Sequence, residues 1–321
     1  MPEPAGLPGG RDPAGEGFSL ASKNKGRHAN KLQRGDLIGV VAPGFAVRRK
    51  ALEAGVLRLE RSGYRVRLGS NVLARDGYLA GDDVARATDL NEMLADPEVR
   101  AIWFARGGYG TARILDRVAW RKLGSRLLIG YSDLTALFAA ALERSGARCL
   151  YGPVVTELGD DSNYHRPSLR EALAGEPVTW RFRKRDIEAE GRARGRLIGG
   201  NLSVLGHSMG TRFAPKAEGS ILFLEELGEQ TYRLDRTLTQ LRSAGFLNKL
   251  KGVVLGHFGI PARRRFPADR PWQEVLEEMF GSLGVPVVSG MPAGHTAGKW
   301  TLPLGGVASL DTTTRQLRIE P

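Results

Sequence analysis

The sequence predicts an α/β protein built from two units, and three observations carry that reading. Apolar strand-like runs alternate with amphipathic helical patterns through the first half of the chain, which is the pattern of a mostly parallel sheet covered by helices on both faces. Three of the runs end in loops that carry glycine: APG (42–44), ARGGYG (105–110) and GYSD (130–133). Ligands of such sheets sit beyond the carboxyl ends of the strands, so these loops are expected to share one rim. The alternation then decays into polar, charged sequence before short strands with fewer helices resume. That shift predicts a smaller second unit, α/β or barrel-like.

Residues 1–32 are rich in Gly, Pro and charge without any period, and a disordered arm is expected there. The first unit is expected over 33–160. GDLIGVVAPG (35–44) is an apolar strand closed by Pro43 and Gly44, and RKALEAGVLRLERSG (49–63) has helical spacing up to a glycine. YRVRLGSNVL (64–73) reads as a strand, and DDVARATDLNEMLADPEV (82–99) as a helix with acids in its first turn. RAIWFARGGYG (100–110) is a strand running into glycines, TARILDRVAWRKL (111–123) is helical, RLLIGYSD (126–133) is a strand and LTALFAAALERSG (134–146) a helix. A linker is expected over 161–194. The second unit, 195–321, opens with GRLIGGNLSVLGHSMGT (195–211). It continues through GSILFLEELGE (219–229), a helix at 232–245 and strands at 251–258 and 285–295. TLPLGGVASLDTTTRQLRIEP (301–321) closes it as two paired strands and a turn.

Composition narrows the function classes. With 321 residues, 41% hydrophobic and 26% charged, the chain is an ordinary globular one. No apolar run approaches the ~18–20 residues that span a bilayer, and the N-terminus lacks a basic start followed by an apolar core. No membrane association and a cytoplasmic setting are therefore expected. The single cysteine excludes an internal disulfide, and no Cys/His spacing suggests a zinc site. The net charge of +12 raises nucleic-acid binding. However, the arginines concentrate in WRFRKRDIEAEGRARGR (180–196) and PARRRF (261–266), without aromatics at base-stacking intervals. A charged surface, with no nucleic-acid partner, is the expectation.

A serine nucleophile needs a base, a group to orient that base and donors for the oxyanion. Ser132 stands where a strand turns into a helix, as in the elbow G-x-S-x-G, with Leu134 in place of the second glycine. Ser and Asp before a helix are also ordinary caps. Among the histidines, His28 falls in the arm, His165 in polar sequence, and His207 on a helix. His257 and His295 follow buried-looking strands, and His295 has the more loop-like setting, GMPAGHTAGKW. Glu225 follows the apolar run Ile221–Leu224 directly, while Glu226 and Glu229 compete for the same role. Gly107, Gly108 and Gly110 let the backbone approach a ligand, so an amide there and that of Asp133 could serve an oxyanion. A dinucleotide fingerprint is the rival reading, but Arg113 occupies the place of its third glycine.

In this order, GDLIGVVAPG, DLNEMLADPEVRAIWFARGGYG, IGYSDLTAL, GGNLSVL, LFLEELGEQTYRLDR and GHTAGKWTLPLG resemble the LD-carboxypeptidase family of serine peptidases. That family includes muramoyl-tetrapeptide carboxypeptidases and microcin-immunity peptidases, and the resemblance covers about 33–315. It implies a flavodoxin-like first domain and a swivelling-type, β-rich second domain. It places the nucleophile on Ser132, the acid on Glu225, the base on His295, and the oxyanion donors on the backbone of Gly107, Gly108 and Asp133. It further implies a homodimer and neither metal nor cofactor. The implied substrate is a muropeptide, the murein tetrapeptide L-Ala-γ-D-Glu-meso-diaminopimelate-D-Ala, which loses its D-Ala through an acyl-enzyme in peptidoglycan recycling. A terminal carboxylate would favour an arginine clamp, for which Arg106, Arg113 and Arg236 are available.

Two alternatives stay open. One is a microcin-immunity-type peptidase that cleaves peptidyl or aminoacyl nucleotide conjugates, with Trp180 and Trp300 as available aromatics. The other is a non-catalytic muropeptide- or nucleotide-binding module. GMPAGH, where bulkier residues often precede the histidine, and Lys299 bear on substrate preference.

Overall fold

The computed structural model describes residues 31–145, 147–260 and 270–321. The arm expected over 1–32 lies outside these except for its last two residues, and PARRRF lies outside them entirely.

In the first unit, strands β1 (Leu37–Val41), β2 (Arg65–Leu68), β3 (Val99–Phe104), β4 (Leu127–Gly130) and β5 (Arg148–Tyr151) alternate with helices. These are α1 (Arg49–Arg61), α2 (Asp83–Ala95), the one-turn α3 (Thr111–Ile114) and α4 (Thr135–Ser145). The five strands are parallel, in the order β5-β4-β3-β1-β2. Every residue of β1 is buried because both of its faces are covered. Ile38 and Val40 cluster with Leu52 and Leu59 of α1, and Leu37 and Val41 with Leu90, Met93 and Leu94 of α2. The helix expected over 111–123 stops after one turn and continues as 3-10 turns. The Asn91 side chain takes up the Ala119 amide (2.7 Å) and the Arg117 carbonyl (2.8 Å), so these groups are bonded outside any helix.

Residues 161–194, expected as a linker, instead hold α5 (Arg166–Ala174), β6 (Val178–Arg181) and β7 (Ile187–Ala189). The two strands are the opposite edges of the second sheet. Edge strands carry charge on their open side, which is why this stretch reads as polar.

The remaining elements are β8 (Arg192–Asn201), α6 (Leu202–Ser208), β9 (Ile221–Leu227), α7 (Thr231–Ser243), β10 (Gly252–Gly259) and α8 (Trp272–Gly281). After them come β11 (Val287–Val288), β12 (Leu302–Leu304), β13 (Val307–Asp311) and β14 (Gln316–Glu320). The second sheet has the order β6-β14-β13-β8-β9-β10-β11-β7, with β8 to β11 parallel. β13 and β14 are the expected paired strands. β12 leaves this unit and pairs antiparallel with β5, adding a sixth strand to the first sheet.

Helix α4 joins the two sheets. It is buried at every position from Thr135 to Leu142, as a helix enclosed on all sides must be. Its core cluster draws Leu128 and Cys149 from the first sheet and Leu197, Phe223 and Val254 from the second. Ala139, Ala140 and Ala141 keep the helix thin enough for both sheets to approach it. The carboxyl ends of β4, β8 and β9 therefore meet at the first turn of α4.

Candidate active site

Ser132 occupies the junction of β4 and α4 with φ +69°. A serine in the left-handed region is strained, and such strain concentrates at functional turns. The turn is stitched locally: Thr135 Oγ1 donates to the Ser132 carbonyl (2.7 Å), and the Ser132 amide donates to Tyr151 OH (3.2 Å). Gly107, at the end of the neighbouring loop, closes over it. A Cβ at 107 would stand 3.0 Å from Ser132 Cβ and 3.4 Å from its Oγ, so the ARGGYG backbone lies against the serine hydroxyl. The Asp133 side chain turns toward the start of α3. Its buried carboxylate accepts the Thr111 amide (2.8 Å), tying this turn to the start of α3, and burial raises its pKa.

The partners come from the second sheet. Along β9, Ile221 and Phe223 face the α4 side and Leu222 and Leu224 the opposite face. The same alternation sends Glu225 toward Ser132 and Glu226 away from it. Glu225 is fully buried. It accepts Tyr151 OH (2.7 Å), Asn201 Nδ2 (3.3 Å), the His295 amide (3.2 Å) and His295 Nδ1 (2.7 Å). A carboxylate can only accept, so His295 carries its proton on Nδ1 and turns the lone pair of Nε2 toward Ser132 Oγ, 3.0 Å away. Gly294 (φ +98°) permits this approach, since a Cβ there would stand 2.5 Å from Glu225 Oε2. Burial depresses the basicity of His295, but the hydrogen bond and charge of Glu225, reinforced by Glu157 and Glu226, outweigh it. The net shift is upward.

The side chains of Ser132, Glu225 and His295 thus form one hydrogen-bonded line. The competing acids do not join it. Glu226, also buried, binds Asn201 Nδ2 (3.1 Å) and the amides of Ser203 (2.8 Å) and Leu227 (2.8 Å), and burial raises its pKa. Glu229 pairs with Arg233 at 3.6 Å. Among the other histidines, His165 caps α5 and stacks on Trp300 at 4.2 Å. His207 lies exposed on α6, and His257 lies on β10.

Sequence reasoning missed Tyr151 and Asn201. Asn201 uses its side chain fully, capping α6 through Oδ1 (Val204 amide, 3.1 Å) while Nδ2 bridges the two glutamates. Both residues end parallel strands on the same rim, and that position is the signal that could have found them. Of the three arginines considered, Arg113 is held by both oxygens of Asp83 (2.8 and 2.9 Å), and Arg236 lies over the Tyr232 ring. Arg106, next to Gly107, packs over Phe45 and gives one hydrogen bond to the Ala46 carbonyl (3.0 Å). Among the described residues, no three His, Cys, Asp or Glu side chains cluster as metal ligands.

A buried acid, a histidine and a serine in line are the groups that can activate a serine hydroxyl as a nucleophile. Residues 38–152 match the LD-carboxypeptidase N-terminal domain and residues 194–310 its C-terminal domain. The murein tetrapeptide carboxypeptidase of Pseudomonas aeruginosa is 35% identical over 294 residues, 85% of this chain and 92% of that protein. The crystal structure of muramoyltetrapeptide carboxypeptidase from Oxalobacter formigenes superposes with TM-score 0.79 at 33% identity, covering 89% of this chain and 99% of that one. The microcin C7 self-immunity protein MccF of Escherichia coli is 26% identical over 331 residues, 91% of this chain and 95% of that protein. Its wild-type apo structure superposes with TM-score 0.81 at 25% identity, covering 91% of this chain and 98% of that one. The chain belongs to the LD-carboxypeptidase family of peptidases.

Proposed function

We propose that this protein is a serine LD-carboxypeptidase that removes the terminal D-Ala from murein tetrapeptide in peptidoglycan recycling. The observation that carries the reading is the line Ser132 Oγ–His295 Nε2 (3.0 Å) and His295 Nδ1–Glu225 Oε2 (2.7 Å). His295 takes the Ser132 proton as Oγ attacks the carbonyl of the diaminopimelate L-centre. Glu225, held by its other donors, keeps the imidazole oriented and stabilises its charged form. The backbone of Gly107 and Gly108 and the amide of Asp133, at the first turn of a helix, are the proposed oxyanion donors. His295 then returns the proton to the departing D-Ala nitrogen, and water resolves the acyl-enzyme by the same path.

Arg106 is the proposed reader of the terminal carboxylate, because the guanidinium of Arg113 is already committed to Asp83. The names of the Pseudomonas and Oxalobacter relatives support the substrate class. A cytoplasmic site of action and a homodimer belong to the same proposal. No helix among the described residues is long and apolar enough to cross a membrane.

Mass spectrometry of the tetrapeptide incubated with wild-type protein and with Ser132→Ala tests the reading. D-Ala release by the first and none by the second is expected. Release that persists without the serine hydroxyl overturns the mechanism.

A second reading follows from the aromatic rim beside Gly108. Phe45, Tyr78 and Tyr109 pack in sequence at 5.5 and 6.0 Å, and Tyr78 and Tyr109 are half exposed. Such faces stack nucleobases, and MccF has been solved with glutamyl sulfamoyl guanosine. Amino-acid release from an aminoacyl sulfamoyl nucleoside, with the tetrapeptide left intact, would replace the first reading by this one.

A further inference from the structure

Ser132 and His295 are 163 positions apart: Ser132 follows β4 of the first sheet, and His295 lies in the loop from β11 of the second sheet to β12 of the first, yet their reacting atoms stand 3.0 Å apart. β12 anchors the far end of this loop to the first sheet, but His295 stands seven residues before that strand, so its position depends on contacts nearer to it. We infer that the ion pair of buried Lys299 with partly buried Glu157, acting through Tyr131, sets the His295–Ser132 distance and is a positioning device for catalysis. This rests on the serine–histidine mechanism proposed above.

Lys299 lies four residues beyond His295 and is only 3% exposed. Its Nζ donates to Glu157 Oε1 (3.0 Å) and to the Asn163 carbonyl (3.0 Å), and sits 5.1 Å from the centre of the Tyr131 ring. Glu157 follows β5, so it belongs to the first sheet's rim. The same Oε1 accepts Tyr131 OH (2.8 Å), and Oε2 accepts the Val154 amide (3.2 Å). Tyr131 directly precedes Ser132, and its ring packs 4.9 Å from the His295 imidazole. One connected set of contacts therefore runs from the residue beside the nucleophile to the residue four beyond the base. Backbone bonds reinforce it: Gly298 donates to the Ser162 carbonyl (2.7 Å), and His165 to that of Lys299 (2.9 Å).

An ion pair drawn largely out of water is poor evidence for stability, since apolar residues of equal volume hold a core as well or better. What it adds is register. Two charges and a phenol satisfy one another in a single arrangement, whereas an apolar contact between the loop and the sheet could slide. The pair touches none of the three reacting side chains, so its effect must pass through the Tyr131 ring and the loop.

The test compares full-length wild type, Lys299→Met, Glu157→Gln and the double variant in D-Ala release from the tetrapeptide across a pH series. Thermal melts run alongside. The charged and titratable groups around His295 are Glu225 from β9, Glu157, Tyr131, Tyr151 and, behind Tyr131, Lys299, while Glu226 acts only through its charge from the opposite face of β9. Removing Lys299 leaves Glu157 unopposed and moves the acid limb of kcat to higher pH, while removing Glu157 moves it to lower pH. Each shift is about a few tenths of a pH unit.

At the pH optimum, Lys299→Met is expected to lose ~10- to 100-fold in kcat, the scale of a misplacement near 1 Å, with KM changed less than about threefold. The double variant loses kcat while its acid limb stays near that of wild type, and it decides the matter if Lys299→Met does not fold. Folded variants with wild-type kcat and unmoved acid limbs overturn the inference, leaving the pair a purely structural contact. If wild type releases no D-Ala, or Ser132→Ala releases it, the underlying mechanism fails and this inference with it. Those two controls read that failure separately from position 299.

Discussion

The two halves of the site are shaped by different means. On the first sheet, the backbone does the shaping: Ser132 is held at φ +69°, and Gly107 admits the serine hydroxyl where any Cβ would crowd it. On the second sheet, Gly294 admits Glu225 and β10 shifts register opposite it, but most of the shaping falls to buried side chains, with four donors converging on Glu225. The first half should depend more on backbone freedom than on neighbouring side chains. The second should tolerate little change in charge or hydrogen bonding.

Substitutions that separate the two halves grade this contrast. The largest effect is expected from Ser132→Ala, a loss of about 10⁴-fold or more in kcat with the melting temperature retained, read by D-Ala release. Glu225→Gln comes next, at roughly 10³- to 10⁴-fold, because the amide cannot fix the imidazole's tautomer or offset its charge. Glu226→Gln, one residue along but on the opposite face, should stay within about tenfold. Equal losses at the two positions would erase the distinction between the faces of β9.

Gly107→Ala tests the backbone half. A methyl 3.0 Å from Ser132 Cβ should lower kcat by roughly 10- to 100-fold with little change in stability. Arg106→Ala should chiefly raise KM, by about tenfold, as one lost charge-assisted contact predicts.

The smallest effect is on pH dependence. His295 must be neutral to act as base, and its pKa is raised above the ordinary 6.5. Activity should therefore fall as pH drops through a value above 6.5, and Glu225→Gln should move that limb down in whatever activity remains. The same shift bears on stability with a fixed sign. The bond to Glu225 stabilises the folded chain fully below the unfolded histidine value, and this contribution is lost as pH rises through the folded one.

Much of the first sheet could be read from the chain because its signals are local. Strand burial, helical period and glycine punctuation each occupy a dozen residues or fewer, and they put Ser132 at a strand end. The misses also have local causes. Edge strands β6 and β7 carry charge on their open sides and resemble a linker. Asn91 reaches across from α2 to take backbone groups that would otherwise continue α3. Nothing in TLPL announces that β12 crosses to the first sheet, since a three-residue strand takes its partner from the space available.

From the residues alone, then, came the alternating α/β order, the rim of glycine loops and a short list of acids and histidines. The choice within that list belonged to the tertiary structure. Glu225 and Glu226 are neighbours of the same type, and a strand necessarily points them to opposite faces. Which face meets the nucleophile depends on α4, a helix buried between both sheets, and on a loop that Lys299 draws against Tyr131. These are contacts between segments 66 or more residues apart, and no local pattern encodes them.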